Sequence, residues 1–296
     1  MLERHEIEAF LTLAEKLHFG QAAADLRVST TRVSQIIRQL ERRVGMPLFE
    51  RTSRRVELTP VGTRLRDDLA PAWEQIAAGF RRAVDTSRGI TGTLNACFVG
   101  AACGTLLVRA AEAFRRQHPD CEVRIREAQI GEVHPWIREG VADVALTAFP
   151  TSAAGLTTGP VLLSEARMLA LPARHRLATR AAVSAEDLAG IPMIQLPPST
   201  TAALRDSRTP ATTPTGRPIP QGPSAATFQE VLALVGAGRG AFPVGAQAPR
   251  YYARPDVAYL PIAGAPPIEW GLIWRTDAST ARVLAFSDTA ARISDA

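Results

Sequence analysis

The chain of 296 residues is 46% hydrophobic and 21% charged, with a formal net charge of +5, which describes a soluble globular protein with room for two or three domains. No apolar run reaches the length of a membrane span, and the charged opening MLERHEIEAF lacks the apolar core of a secretory signal, so a cytoplasmic location and no membrane partner are expected. The three cysteines, Cys97, Cys103 and Cys121, lack CxxC spacing and the five histidines are scattered, so neither a disulfide framework nor a metal site is indicated, and no cofactor is expected.

Helical periodicity begins at once, with Ile7, Phe10, Leu11, Leu13, Ala14 and Leu17 on one face. A break over His18 to Gly20 precedes a short second helix, QAAADLR, whose Ala22 and Ala23 are small enough to let another helix cross closely. After a tight connection through Val28 comes VSTTRVSQIIRQLERRVG, where Val33, Ile37, Leu40 and Val44 make the buried stripe of an amphipathic helix. Thr31, Ser34, Gln35, Arg38 and Arg42 fall on the opposite side, Ser29 is a good N-cap and Gly45 a good C-terminal stop. Alone, the polar side reads as an ordinary solvated face. Two helices joined by such a turn, however, form a helix-turn-helix, whose second helix can enter a DNA major groove.

In the next stretch, MPLFERTSRRVELTP, Leu48 and Phe49 point inward, RTSRR forms a basic tip, and Val56 and Leu58 alternate as a returning strand. This is a wing, able to touch the DNA backbone or minor groove. From Arg27 to Arg66 there are ten arginines against three glutamates, so the positive charge is concentrated in this module. Such a block points to a polyanion, with nucleic acid the leading candidate. Thr59 and Pro60 are an N-cap and an N1 proline, opening a long helix with apolar Val61, Leu65, Leu69, Trp73, Ile76, Phe80 and Val84, stopped at SRGITG. A helix this long with a narrow stripe needs a cover. A second copy of itself is the simplest one, so a dimer is expected.

From Thr91 strands alternate with helices. TLNACFVG, CEVRIREA and ADVALTAF read as strands, with TLLVRAAEAFRRQHP and IGEVHPWIREG as the helices between them. This βαβαβ run predicts a parallel sheet with helices on both faces. A second set follows: ARMLALP, a helical turn near SAEDLAG, IPMIQL, a helix over SAATFQEVLALVGAG, strand-like GAFPVG and VAYLPI, then IEWGLIWR and a closing helix from Asp277 to Ile293. The proline- and threonine-rich stretch from Pro197 to Pro223 is too irregular to assign. Neither a Ser-His-Asp arrangement nor G-x-S-x-G is evident, and the glycines of GAGRGAF follow a helix instead of opening one, which weighs against an enzyme fused to a helix-turn-helix. A constitutive DNA-binding structural protein, its C-terminal half serving assembly alone, is the other rival.

The segment HFGQAAADLRVSTTRVSQIIRQLERRVGMPLFERTSRRVELTPVG, His18 to Gly62, resembles the N-terminal winged helix-turn-helix of LysR-type transcriptional regulators. Weaker similarity continues to the C-terminus. The resemblance implies a winged helix-turn-helix over 1–59, a linker and dimerisation helix over 60–88, and an effector-binding module over 89–296. That module is expected to be α/β, two Rossmann-like subdomains similar to periplasmic binding proteins, one over about 90–161 plus 266–296 and the other over about 162–265. Carried over by position, the DNA-facing residues are Ser29, Thr30, Thr31, Ser34, Gln35 and Arg38 on the helix, with Arg51, Ser53, Arg54 and Arg55 on the wing. The family often has glutamine and proline where this chain has Thr30 and Thr31, so base preference there should differ. Arg38 is open to two roles, reading guanine or holding a phosphate. The expected partners are a pseudo-palindromic operator in double-stranded DNA, a second copy of the chain as dimer or tetramer, a small-molecule effector and RNA polymerase.

Ligands in open α/β sheets lie beyond the carboxyl ends of strands, often at helix N-termini. This rule selects Ala101, Ala102, Cys103, Gly104 and Thr105 after the first strand, Gln129 and Ile130 after the next, and Phe149 after the third. Pro197, Ser199, Thr200, Phe228 and Phe242 come from the second subdomain. Cys103 is more simply a buried small residue, Phe149 and Phe242 fit core as well as pocket, and His134 and Trp136 read as surface and core. Oxidant-sensing members pair cysteines in the second subdomain, and none lies there here. With no arginine securely in this set, the expected effector is weakly polar, or absent.

Overall fold

The computed structural model describes residues 2–51, 56–151 and 153–294. Their contacts divide into two units, 1–83 and 84–296. In the first, α1 (Arg4–Lys16), α2 (Phe19–Asp25) and α3 (Thr30–Val44) enclose a core of Phe10, Leu13, Ala22, Val33, Ile37, Leu40 and Leu48. The break between the first two helices is shorter than the sequence suggests. Leu17 takes a left-handed conformation and the His18 imidazole accepts the Gln21 N–H, so a new helix starts at Phe19. Arg27, at φ 54°, is also left-handed and turns the chain toward α3, a conformation that costs an L-residue roughly 1 kcal/mol.

α3 has the predicted caps: Ser29 Oγ accepts the Arg32 N–H and Gly45 closes the C-terminus at φ 81°. Its buried stripe is Val33, Ile36, Ile37 and Leu40; Val44, expected inside, projects past the core and is 40% exposed. The two strands β1 (Phe49–Arg51) and β2 (Val56–Leu58) pair antiparallel. The Glu41 carboxylate accepts the N–H groups of Leu48 and Phe49, tying the root of the wing to α3. Helix α4 (Pro60–Arg88) opens where Thr59 Oγ1 accepts the Gly62 N–H. Val61, Leu65 and Leu69 pack on the core of this unit, whereas Ile76 and Phe80 are 61% and 73% exposed.

Among the described residues, the second unit holds two larger sheets and a separate two-stranded one. The first contains β3 (Gly92–Phe98), β4 (Cys121–Glu127), β5 (Val144–Ala148) and β6 (Leu156–Glu165), with α5 (Ala101–Gln117) and α6 (Val133–Arg138) on opposite faces. β3, β4 and β5 are parallel, as their alternation with helices predicts. Next come β7 (Arg167–Pro172), β8 (Val183–Ser184), β9 (Met193–Gln195), α7 (Ala202–Arg208), β10 (Gln221–Ser224), α8 (Phe228–Gly236), β11 (Phe242–Gly245), α9 (Ala248–Tyr251) and β12 (Val257–Ala263), of which β7, β8, β11 and β12 form the second sheet. The chain then returns through β13 (Ile268–Arg275) to the first sheet and ends in α10 (Ala281–Ser294).

The strand orders are β4-β3-β5-β13-β6 and β11-β7-β12-β8, and β9 pairs with β10. Both larger sheets are mixed, the parallel run of β3, β4 and β5 being joined by the antiparallel β13. β13 runs antiparallel to β5 and β6, and β7 runs antiparallel to β11 and β12, because these strands carry the chain between the sheets. Helix α5 begins four residues before the predicted TLLV start, since Gly100 at φ 81° turns the strand end directly into it. α8 begins at Phe228, later than predicted, because Thr227 caps it and Ser224 belongs to β10. The unassigned stretch after Pro197 contains α7, and its Thr213 and Thr215 hydrogen-bond to the Glu186 carboxylate.

Two close contacts in the first unit give measurable consequences. A Cβ on Gly62 would lie 2.1 Å from the Leu48 carbonyl oxygen, so Gly62→Ala should lower the melting temperature of this unit, costing about 1–3 kcal/mol by overpacking. Glu6, 1% exposed, accepts from the Glu3 N–H and from Arg43 Nη1 at 2.9 and 2.7 Å. These partners, the backbone N–H first, hold its pKa below the ordinary 4.5. The stabilisation is therefore complete above that ordinary value and lost as pH falls below it. Glu6→Gln should cost about 1–3 kcal/mol at neutral pH, the exposed Arg43 end being screened, and flatten the acid limb of the melting curve recorded by circular dichroism.

Candidate functional site

The first candidate site is the outer side of α3. Thr30, Thr31, Gln35 and Arg38 are exposed and Ser34 is partly so, all on the face turned away from Val33, Ile37 and Leu40. Ser29 is exposed too, with its hydroxyl oxygen engaged in capping. Among the described residues, Arg32, Arg38 and Arg42 enter no ion pair. Hydroxyls, an amide and guanidinium groups on one exposed strip supply the donors and acceptors that base edges and phosphates require. Ser53, Arg54 and Arg55, and the side chain of Arg51, lie outside the described residues.

The second is a cleft in the α/β unit, with about 850 Å³ of empty space including its open mouth. It collects the strand ends and helix starts that the fold rule selects. Ala101, Ala102, Cys103, Gln129, Ile130, Phe228 and Phe242 line it. The other six candidates do not. Gly104 is buried against the Phe98 ring, and the Thr105 hydroxyl donates to the Ala101 carbonyl from an exposed position. Phe149 packs against Gly271 and the α6 cluster. Pro197 and Ser199 close against Gly131, and Thr200 is buried with its hydroxyl unpartnered among the described residues. His134, read as a surface residue, is buried with Nε2 2.7 Å from Thr151 Oγ1, and burial pushes its pKa down.

Two helix N-termini open into the cleft, and each is capped from the opposite subdomain. The Ala101 N–H, first in α5, donates to the Tyr252 hydroxyl at 2.9 Å. The Phe228 N–H, first in α8, donates to Gln129 Oε1 at 3.2 Å. Phe228 and Tyr252 meet edge to face at 4.7 Å.

The charged groups of the cleft escape the sequence reading. Glu165, at the end of β6, is buried and accepts from Trp270 Nε1 and from the Gln247 N–H, each at 2.8 Å. Arg208, at the end of α7, is 4% exposed and stands over the Trp270 ring at 5.3 Å. Its sole hydrogen bond among the described residues runs from Nη1 to the Pro243 carbonyl at 3.4 Å, and its Nε has no partner there. Burial pushes its pKa down to about 10, nearby Arg167 pushes the same way and Glu165 opposes. The guanidinium therefore stays charged at neutral pH. This corrects the expectation of a cleft without arginine. The signal was present in the sequence: Thr201 is an N-cap, and Leu204 and Arg208, four apart, share a helical face.

Cys97 and Cys103 are buried, and burial raises the first thiol to about 12 and the second further. Both remain protonated at neutral pH, unlike a thiolate poised for oxidation. All three cysteines are buried, and among the described residues no disulfide joins them. Among the described residues no His, Cys, Asp and Glu cluster could hold a metal, and no helix is long and apolar enough to cross a membrane.

Residues 5–63 match the family model for the bacterial regulatory helix-turn-helix protein, lysR family, and residues 87–293 match the LysR substrate binding domain. The chain is 30% identical over 284 residues to the HTH-type transcriptional regulator IlvR of Caulobacter vibrioides, covering 93% of each chain. It is 33% identical over 193 residues to the HTH-type transcriptional regulator AlsR of Bacillus subtilis, where the match spans 65% of this chain and 64% of that one. A solved structure of a cysteine-substituted OxyR of Corynebacterium glutamicum, with hydrogen peroxide bound, is similar at TM-score 0.56 and 26% identity, covering 98% of this chain and 93% of that one. CbnR in complex with its target DNA shares the fold at TM-score 0.52 and 22% identity, covering 99% and 100% of the two chains. With one family model on the helix-turn-helix and the other on the α/β module, the chain belongs to the LysR family of transcriptional regulators.

Proposed function

We propose that this protein binds a specific operator through the exposed side of α3 and that a small molecule held in the α/β cleft controls the outcome. The observation that carries the reading is the strip of Thr30, Thr31, Gln35 and Arg38, exposed side by side on a helix whose other face is locked into a core. Such a helix can enter the major groove without exposing apolar residues. The wing, with Arg51, Ser53, Arg54 and Arg55, supplies contacts to the backbone or minor groove. Subunits pair through α4, whose Ile76 and Phe80 expose apolar surface that a second copy would cover. Paired dimers then place recognition helices on a pseudo-palindromic site, and the cleft state changes how they bend DNA and admit RNA polymerase. A cytoplasmic location accompanies this role. Peroxide sensing is not carried over from OxyR, because all three cysteines are buried and burial raises the Cys97 and Cys103 thiols well above their ordinary range.

Footprinting on DNA flanking the protein's own gene, at several salt concentrations, tests the reading. Two protected half-sites with steep salt dependence are expected; no preferred site at salt that suppresses nonspecific binding would overturn it. In the same assay, Arg38→Ala should cost about 1–3 kcal/mol and relax one operator position if Arg38 reads a base. Equal weakening on all sequences assigns it to a phosphate. Phe80→Glu should shift sedimentation toward the monomer, since a charge on that stripe cannot be buried unpaired.

A further inference from the structure

We propose that Arg27, in the turn between α2 and α3, grips a phosphate of the DNA backbone at the edge of the groove that α3 enters. The inference rests on the reading of α3 as the DNA-binding helix and adds a contact that neither the helix face nor the wing supplies. Helix α2 ends in a turn where the Val28 N–H donates to the Ala23 carbonyl at 3.0 Å and the Arg27 N–H to the Ala24 carbonyl at 3.1 Å, with Arg27 left-handed at φ 54°. Glycine or asparagine suits that position, because either reaches the left-handed region at little cost. Arginine has no such advantage in its backbone. What recommends it there is the side chain, and a residue held in an unfavourable conformation directs attention to what that side chain meets.

Inside the protein it meets nothing. Arg27 is exposed, and among the described residues its guanidinium makes no hydrogen bond and no ion pair. The nearest acid in the sequence, Asp25, is held at 3.4 Å by Lys16, the only lysine of the chain, which also takes Glu15 at 3.0 Å. One structural use remains, a positive charge near the C-terminus of α2, and the aligned dipoles of that seven-residue helix are few. Arg27 stands two residues before the Ser29 cap and three before Thr30, so its Cα lies within about 11 Å of the groove-facing end of α3. In a helix-turn-helix the first of the two helices crosses the DNA backbone while the second lies in the groove. The turn joining them is thereby set at the groove's edge, among phosphates. A guanidinium can engage phosphate oxygens with two parallel N–H groups, and such a contact fixes the position of the protein on the duplex without reading sequence.

The test is fluorescence anisotropy of the full-length protein on two labelled duplexes, one carrying the footprinted site and one of scrambled sequence, at several salt concentrations. Arg27→Asn and Arg27→Gln should each reduce the slope of log K against log salt concentration by about 1 on both duplexes, weakening binding about tenfold at roughly 0.1 M salt and leaving the ratio between the duplexes unchanged. Melting followed by circular dichroism separates charge from backbone strain. Arg27→Asn should melt at or above the wild-type temperature, because asparagine tolerates the left-handed turn, and Arg27→Gln should melt close to it. Arg27→Lys, which keeps the charge, should keep the wild-type slope. An unchanged slope in Arg27→Asn and Arg27→Gln would overturn the contact, and a lower melting temperature beside it would assign Arg27 to the end of α2 instead. Loss confined to the footprinted duplex would make Arg27 a reader of bases and overturn the phosphate assignment. The scrambled duplex needs no operator, so the absence of a preferred site would count against the operator reading alone and leave this measurement intact.

Discussion

The carboxylate of Glu165 is the constraint on which the α/β unit depends. It stands at the last residue of β6, where the chain leaves one sheet for the other, and it is bonded to Trp270 on the returning strand and to the backbone N–H of Gln247 before α9. Three elements from both subdomains thus converge on one buried anion. Gly245 has no room for a side chain, since a Cβ there would lie 2.0 Å from a Glu165 oxygen. Its charge also sets the electrostatics of the cleft, favouring the charged form of Arg208 against the burial and the Arg167 repulsion that oppose it.

The same economy shapes the helix-turn-helix. Each acidic residue near α3 has a structural engagement: Glu6 holds Arg43, and Glu41 receives the N–H groups at the root of the wing. The arginines on the outer face have no such partners among the described residues. Positive charge is thereby left for an external polyanion, while the negative charge that would have neutralised it is spent inside the domain. Helix α4 divides its stripe in a comparable way, its first turns completing the core of its own unit and its later turns exposing Ile76 and Phe80.

In the cleft, reciprocal capping gives the two subdomains a directional link. Tyr252 and Gln129 each satisfy a helix start on the opposite side, so opening the cleft would leave two backbone N–H groups to water. A molecule that fills the space between these caps biases the subdomain arrangement by whatever it gains in one state over the other.

The sequence by itself determined every feature that rests on local periodicity and capping. Ser29 and Gly45 bound α3, Thr59 and Pro60 open α4, and the alternation of strands and helices from Thr91 yields the parallel core of the first sheet. These follow from neighbouring residues satisfying one another's backbone groups, which a linear reading can follow. What the tertiary structure decided lies between residues distant in the chain. The mixed character of the sheets came from the two crossover strands, and the cleft's charge came from Glu165 meeting residues about a hundred positions away and Arg208 at the end of a short helix in a stretch with no clear period. Pro197, Ser199, Thr200 and Phe149 left the candidate set for the same reason: strand ends can be read from the sequence, whereas which side chains turn into the space beyond them is fixed by packing.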